Sequence, residues 1–187
     1  PVSGPRCRTS ATMTPSALLA ATIELLAEID GAPRPADATI SAYLRARRYI
    51  GGKDRTAIIG RTYAVLRHRA RLGWHLARSG AAPSPRALVL AWCVLGEGGR
   101  LTEVERLFDG SRYGPEALTG TEKRLVIALA TRPLDDPAMD EAARWELPGW
   151  AVGPLRARFG DDLPAEAAAL GEEAPFDLRV ALRRIDR

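Results

Sequence analysis

Cysteine occurs only twice in the 187 residues, as Cys7 and Cys93, and the two form no CxxC pair. That excludes a disulfide-built scaffold and suits a reducing, cytoplasmic setting, with Cys93 as a small apolar filler and Cys7 as an exposed thiol. Long apolar runs are missing as well. The longest, Ala87 to Gly96, is about half of what a bilayer span needs, so the expectation is a soluble protein with no membrane partner. There is no GxGxxG. Gly52-Lys53 fails as a phosphate-binding loop because Asp54 stands where Ser or Thr is needed and Arg47 where the first glycine belongs. Histidine is limited to His68 and His75, seven residues apart with no carboxylate or thiol at ligand spacing, so no metal site is expected and the two are read as solvated or phosphate-contacting. No Ser/His/Asp or Cys/His arrangement and no internal repeat is present, and the residues give no catalytic centre.

Charge is unevenly spread. The net charge is +4, yet Arg45 to Arg78 holds ten bases (Arg45, Arg47, Arg48, Lys53, Arg55, Arg61, Arg67, Arg69, Arg71, Arg78) against the single acid Asp54. That segment carries +9 and the remainder −5, with 17 acids against nine bases between Glu97 and Asp177. Such a split points to a basic surface for a polyanion beside an acidic half with another task.

The punctuation is that of a helical protein large enough for one substantial core. Residues 1–12 read as a processed end or loose tail. Thr14-Pro15 supplies an N-cap and a proline at the first helical position, opening a helix that closes at Asp30-Gly31. Pro35 opens a second helix, broken by Gly51-Gly52. A long helix is then predicted from about Lys53 to Ser79, stopped by Gly80. Ser84-Pro85 begins an apolar helix, Arg86 to Leu95, whose apolar side chains on nearly all faces predict a central, enclosed position. Thr102 with Glu105 and Thr119 with Glu122 have capping-box spacing and predict helices over Leu101 to Phe108 and Glu122 to Ala130. After the turn-rich Arg132 to Pro137, two or three short helices are expected over Asp140 to Leu170, with breaks at Pro148, Gly160 and Pro164. Phe176, Leu178 and Val180 alternate with Asp177 and Arg179, the period of one β-strand.

On a helical wheel the long helix sorts itself. Ile58, Ile59, Thr62, Val65, Leu66, Leu72 and Leu76 share an apolar side, and Lys53, Arg67, Arg71 and Arg78 fall within about 40° of one another opposite them, with His68 and His75 alongside. A stripe of long cations suits backbone phosphates, which ask for reach and charge. Arg45, Arg47 and Arg48 extend the patch. Arg69 is the misfit on the apolar side, which predicts that it is partly buried and paired with an acid from elsewhere, or that the helix is kinked there. The candidate polyanion site is therefore Arg45, Arg47, Arg48, Lys53, Arg61, Arg67, His68, Arg71 and Arg78. Trp74, Trp92, Trp145 and Trp150 are read as helix-packing residues, and Asp135-Asp136 and Asp161-Asp162 as turn or helix-terminus acids.

Four segments in order carry a resemblance: Arg45 to Leu72 (RARRYIGGKDRTAIIGRTYAVLRHRARL), Phe108 to Gly114 (FDGSRYG), Leu147 to Gly160 (LPGWAVGPLRARFG) and Pro175 to Val180 (PFDLRV). Together they resemble the N-terminal part of bacterial Sun/Fmu-type enzymes, which methylate C5 of ribosomal RNA cytosines. The resemblance implies an all-α fold: a NusB-like RNA-binding helical domain over 13–138, connecting helices over 139–173, and the start of an RNA-recognition subdomain over 174–187. It implies ribosomal RNA or the small ribosomal subunit as partner, a monomer, and S-adenosylmethionine as cofactor of a catalytic domain that would follow Arg187. The cofactor motif and two catalytic cysteines of such enzymes have no counterpart here. The alternative is a free NusB-type antitermination factor that binds RNA together with a ribosomal protein; the segments after Ala130 speak against it.

Overall fold

The computed structural model describes residues 12–172, and these are helical, with no strand among them. The helices are α1 (Pro15–Gly31), α2 (Ala36–Ala46), α3 (Gly52–Arg67), α4 (Arg69–Arg78), α5 (Pro85–Leu95), α6 (Leu101–Leu107), α7 (Gly120–Leu129), α8 (Glu141–Arg144), α9 (Gly149–Phe159) and α10 (Leu163–Gly171), with a short 3₁₀ turn at Gly160–Asp162 before the last. The alternating segment around Phe176 to Val180 and all but Thr12 of the N-terminal tail lie outside the described residues.

Local chemistry starts most of these helices where the sequence predicts. The hydroxyls of Thr14, Ser84 and Thr119 accept the main-chain N–H three residues on, each at 3.2 Å, satisfying donors that the first helical turn leaves orphaned. At α7 the box is reciprocal, since the Glu122 carboxylate accepts the Thr119 N–H at 2.8 Å. The second predicted box is displaced. Glu103, not Glu105, reaches back, and it accepts the N–H of Arg100 at 2.8 Å, so α6 begins at Leu101 and Thr102 lies inside it. Two Glu residues at the same offset from two possible caps compete here, and the pair two residues nearer the Gly98-Gly99 exit from α5 prevails.

Helix α5 is the hub. Leu88, Val89, Leu90 and Ala91 are wholly buried, Cys93 and Val94 nearly so, and α1, α3, α4, α6 and α7 all pack on it. A second apolar cluster joins Leu25 of α1, Ile40, Tyr43 and Leu44 of α2, Ile50 of the turn and Ile58 of α3. The short helices α8 to α10 attach through α8, which packs on α4. Burial raises the Cys93 thiol pKa to about 12, so it behaves as the apolar filler expected. Trp150 departs from expectation: it is 80% exposed at the start of α9 among the described residues.

The predicted long helix from Lys53 to Ser79 is two helices. They meet at His68, whose backbone (φ −112°, ψ 20°) leaves the helical region although neither proline nor glycine marks the place. The His68 ring donates from Nδ1 to the Ala64 carbonyl at 2.9 Å and lies 4.9 Å from the Trp92 ring of α5. Beyond it, the freed amides at the start of α4 are taken by a side chain from far along the chain. Glu146 accepts the N–H of Ala70 at 2.6 Å and of Arg71 at 3.0 Å. Arg69, the misfit, satisfies both alternatives at once, sitting at the break and forking onto Asp30 of α1 at 2.7 and 2.9 Å.

Candidate nucleic-acid interface

The break dissolves the straight cationic stripe, and internal acids then claim much of what remains. Arg47 lies 3.6 Å over the Tyr43 ring, and its guanidinium bridges Glu24 and Glu28 of α1. Tyr43 donates to the same Glu24 at 2.7 Å, and burial together with that carboxylate holds its phenol protonated well above the usual range. Arg61 forks onto Glu97 at 2.8 and 3.1 Å, and Glu97 also accepts the Trp92 indole N–H. Arg71 donates to the Arg144 carbonyl at 3.0 Å and lies 3.6 Å from Glu146. Three cations of the predicted phosphate-binding face are thus each engaged with groups inside the fold. A wheel shows phase along one helix, but the acids that neutralise these cations come from α1, the exit of α5 and the entrance to α9.

The two histidines are buried or half-buried rather than solvated. His75 is fully buried, with its Nε2 donating to the Leu134 carbonyl at 3.2 Å, so it is not solvated. His68 is half-buried against Trp92. Burial lowers the pKa of both rings, and the nearby Arg71 and Arg67 add to this at His68, keeping both neutral near pH 7. Arg67, His68 and Arg71 line a cleft of about 690 Å³ shared with Trp145, Glu146 and Leu170. Burial raises the Glu146 pKa, against the opposing pull of the Arg71 and Ala70 amides and the Arg71 charge. Arg78 is exposed on α4, its guanidinium 4.8 Å over the Trp74 ring, which covers the face a base would need.

What survives is compact. Arg45, Arg48 and Lys53 are exposed around the turn that joins α2 to α3, and none has an ion-pair partner among the described residues. Between them Tyr49 is 73% exposed. The turn is fixed by Ile50, buried at 2% exposure, whose N–H bonds the Arg47 carbonyl at 3.0 Å and whose carbonyl accepts Arg55 Nε at 2.9 Å. Helix α3 has Gly51 as its N-cap and no side-chain hydrogen bond to its first amides. The lone acid of the segment, Asp54, is removed from that surface: it is buried and accepts the Met13 N–H at 3.1 Å. Exposed cations and a flat exposed ring are what phosphates and an unstacked base require. Charge counting passes over Tyr49, and the signal that finds it is an aromatic next to two arginines just before a Gly-Gly break.

No protein-family model, curated protein or solved structure matches this chain.

Proposed function

We propose that this chain is the RNA-holding part of an S-adenosylmethionine-dependent ribosomal RNA cytosine-C5 methyltransferase, a NusB-like helical domain that delivers RNA to a catalytic domain outside these residues. The observation that carries the RNA-binding reading is the corner at α2–α3, where Arg45, Arg48 and Lys53 are left without acids around an exposed Tyr49. The four segments from Arg45 to Val180 that resemble Sun/Fmu-type enzymes support the assignment to that class. Holding a target by its phosphates raises its local concentration at the chemistry without demanding sequence recognition from this part. The test is binding of a fluorescent ribosomal RNA fragment at rising salt. Affinity should fall steeply between low and physiological salt, and Arg48→Glu with Lys53→Glu should lower it by about tenfold or more and flatten the salt dependence. Unchanged affinity in that double variant overturns the reading.

A further inference from the structure

A second exposed tyrosine lies on a loop hydrogen-bonded to the first turn of α1. The loop after α6 folds back on itself: the Gly110 N–H bonds the Pro115 carbonyl at 3.0 Å, and the Gly114 N–H bonds Ser111. Asp109 is its anchor. One carboxylate oxygen accepts the Ser111 N–H at 3.0 Å, and the other accepts the hydroxyl of Ser16, a buried residue of α1, at 2.8 Å. Gly110 has φ +65°, and a Cβ at Gly114 would stand 2.2 Å from the Asp109 oxygen, so both glycines are required for this closure. The residues at the tip take no part in it. Tyr113 is 70% exposed, and the exposed Arg112 holds its guanidinium 5.3 Å from the Tyr113 ring.

Both tyrosine-bearing turns border α1. Asp54, next to Lys53, accepts the Met13 N–H just before the helix, Arg47 of the first turn reaches Glu24 and Glu28 further along it, and Asp109 accepts the Ser16 hydroxyl in its first turn. Helix α1 is thus bordered by one turn bearing Arg48, Tyr49 and Lys53 and by another bearing Arg112 and Tyr113. Each presents a ring beside at least one cation on a backbone fixed from beneath. A structural tyrosine on so constrained a loop would be expected to turn its ring inward, where burial is favourable; this one faces water.

We propose that Arg112 and Tyr113 form a second contact point for single-stranded RNA, so that one strand passes along α1 with bases stacked at Tyr49 and at Tyr113. The inference rests on the RNA-binding reading of the α2–α3 corner and extends it to a two-point site. Stacking accepts any base, so the substrate class is an unpaired stretch rather than a particular sequence. Two anchored rings also favour a strand long enough to reach both over one that reaches a single ring.

The experiment measures anisotropy of fluorescent single-stranded RNAs of about 4 and about 16 nucleotides, the span of site sizes of common single-strand binders. Tyr113→Ala should weaken binding of the longer RNA by about tenfold or more. Tyr113→Phe should restore it, because stacking needs the ring and not the hydroxyl. Binding of polyglutamate, a polyanion without bases, should be the same for Tyr113→Ala as for the parent. If Tyr113→Ala leaves the longer RNA unaffected while Arg48→Glu with Lys53→Glu weakens it, the second point is wrong and the corner stands. If neither change matters, the RNA-binding reading itself falls. Equal loss for RNA and polyglutamate in Tyr113→Ala also overturns the stacking proposal.

Discussion

The Glu146 carboxylate accepts the main-chain N–H of Arg71 at 3.0 Å, across 75 positions of sequence, and so serves as the N-terminal cap of a helix to which it does not belong. Its other oxygen takes the Ala70 N–H at 2.6 Å, and Glu146 adopts φ +53° to present both. Helix α4 therefore starts where it does because of a residue between α8 and α9.

Glu146→Ala should cost about 1 kcal/mol of stability, within the range for losing a helix cap. Loss confined to the cap will appear as faster hydrogen exchange at the Ala70 and Arg71 amides, with α5 amides still protected. A urea midpoint unchanged within error would show that solvent replaces the carboxylate without penalty.

Stability should decline as the solution is acidified through the histidine range. The unfolded chain takes up a proton at each histidine near pH 6.5, whereas His68 and His75 are held neutral by burial with lowered pKa values. Below about pH 6.5 the unfolded state thus binds more protons than the folded state, and unfolding is favoured progressively as pH falls. Glu122 acts in a lower window: with its pKa lowered by hydrogen bonds from Arg86, its contribution is full above the ordinary glutamate range and is lost as pH falls through the folded value. Urea midpoints between pH 7.5 and 5 should show the first slope, and His75→Gln should reduce it.

The arginines should separate into two groups. Arg61→Ala removes a fork onto Glu97 and should lower stability by about 1 kcal/mol with RNA affinity unchanged. Arg48→Glu should do the opposite, weakening RNA binding and leaving the melting midpoint within about 0.5 kcal/mol of the parent. Equal RNA losses from both would mean that the internal pairs open on binding.

Cys93 should resist thiol reagents in the folded protein. With 1% exposure and a pKa raised to about 12, it offers neither access nor thiolate. In a Cys7→Ser chain, a colorimetric disulfide reagent at pH 8 should react only when denaturant is added; prompt stoichiometric reaction would contradict the enclosed position of α5.

The sequence was most legible where the deciding groups lie close together. Thr14, Ser84 and Thr119 each cap an amide three residues away, so their helices begin as read. The apolar faces of Arg86 to Leu95 announced a central helix for the same reason. The break at His68 was hidden because the groups that complete it, Trp92 and Glu146, are tertiary neighbours. The ion pairs of Arg47, Arg61 and Arg71 were hidden likewise, and they engage three of the nine predicted residues within the fold. Only Arg69 betrayed itself in advance, as a charge on the wrong side of a wheel.

The central place of α5 also sets an order of events during synthesis. Leu19 and Leu26 of α1 and Leu72 and Leu76 of α4 belong to the cluster that closes around Leu88 to Val94. A chain leaving the ribosome completes α1 to α4 before the residues from Pro85 onward emerge. For that interval the cluster around Leu25 and Ile58 can assemble, while the larger apolar faces wait uncovered for their common partner. Nascent chains arrested before Pro85 should accordingly be the ones that stick to one another, and those arrested after α7 should not.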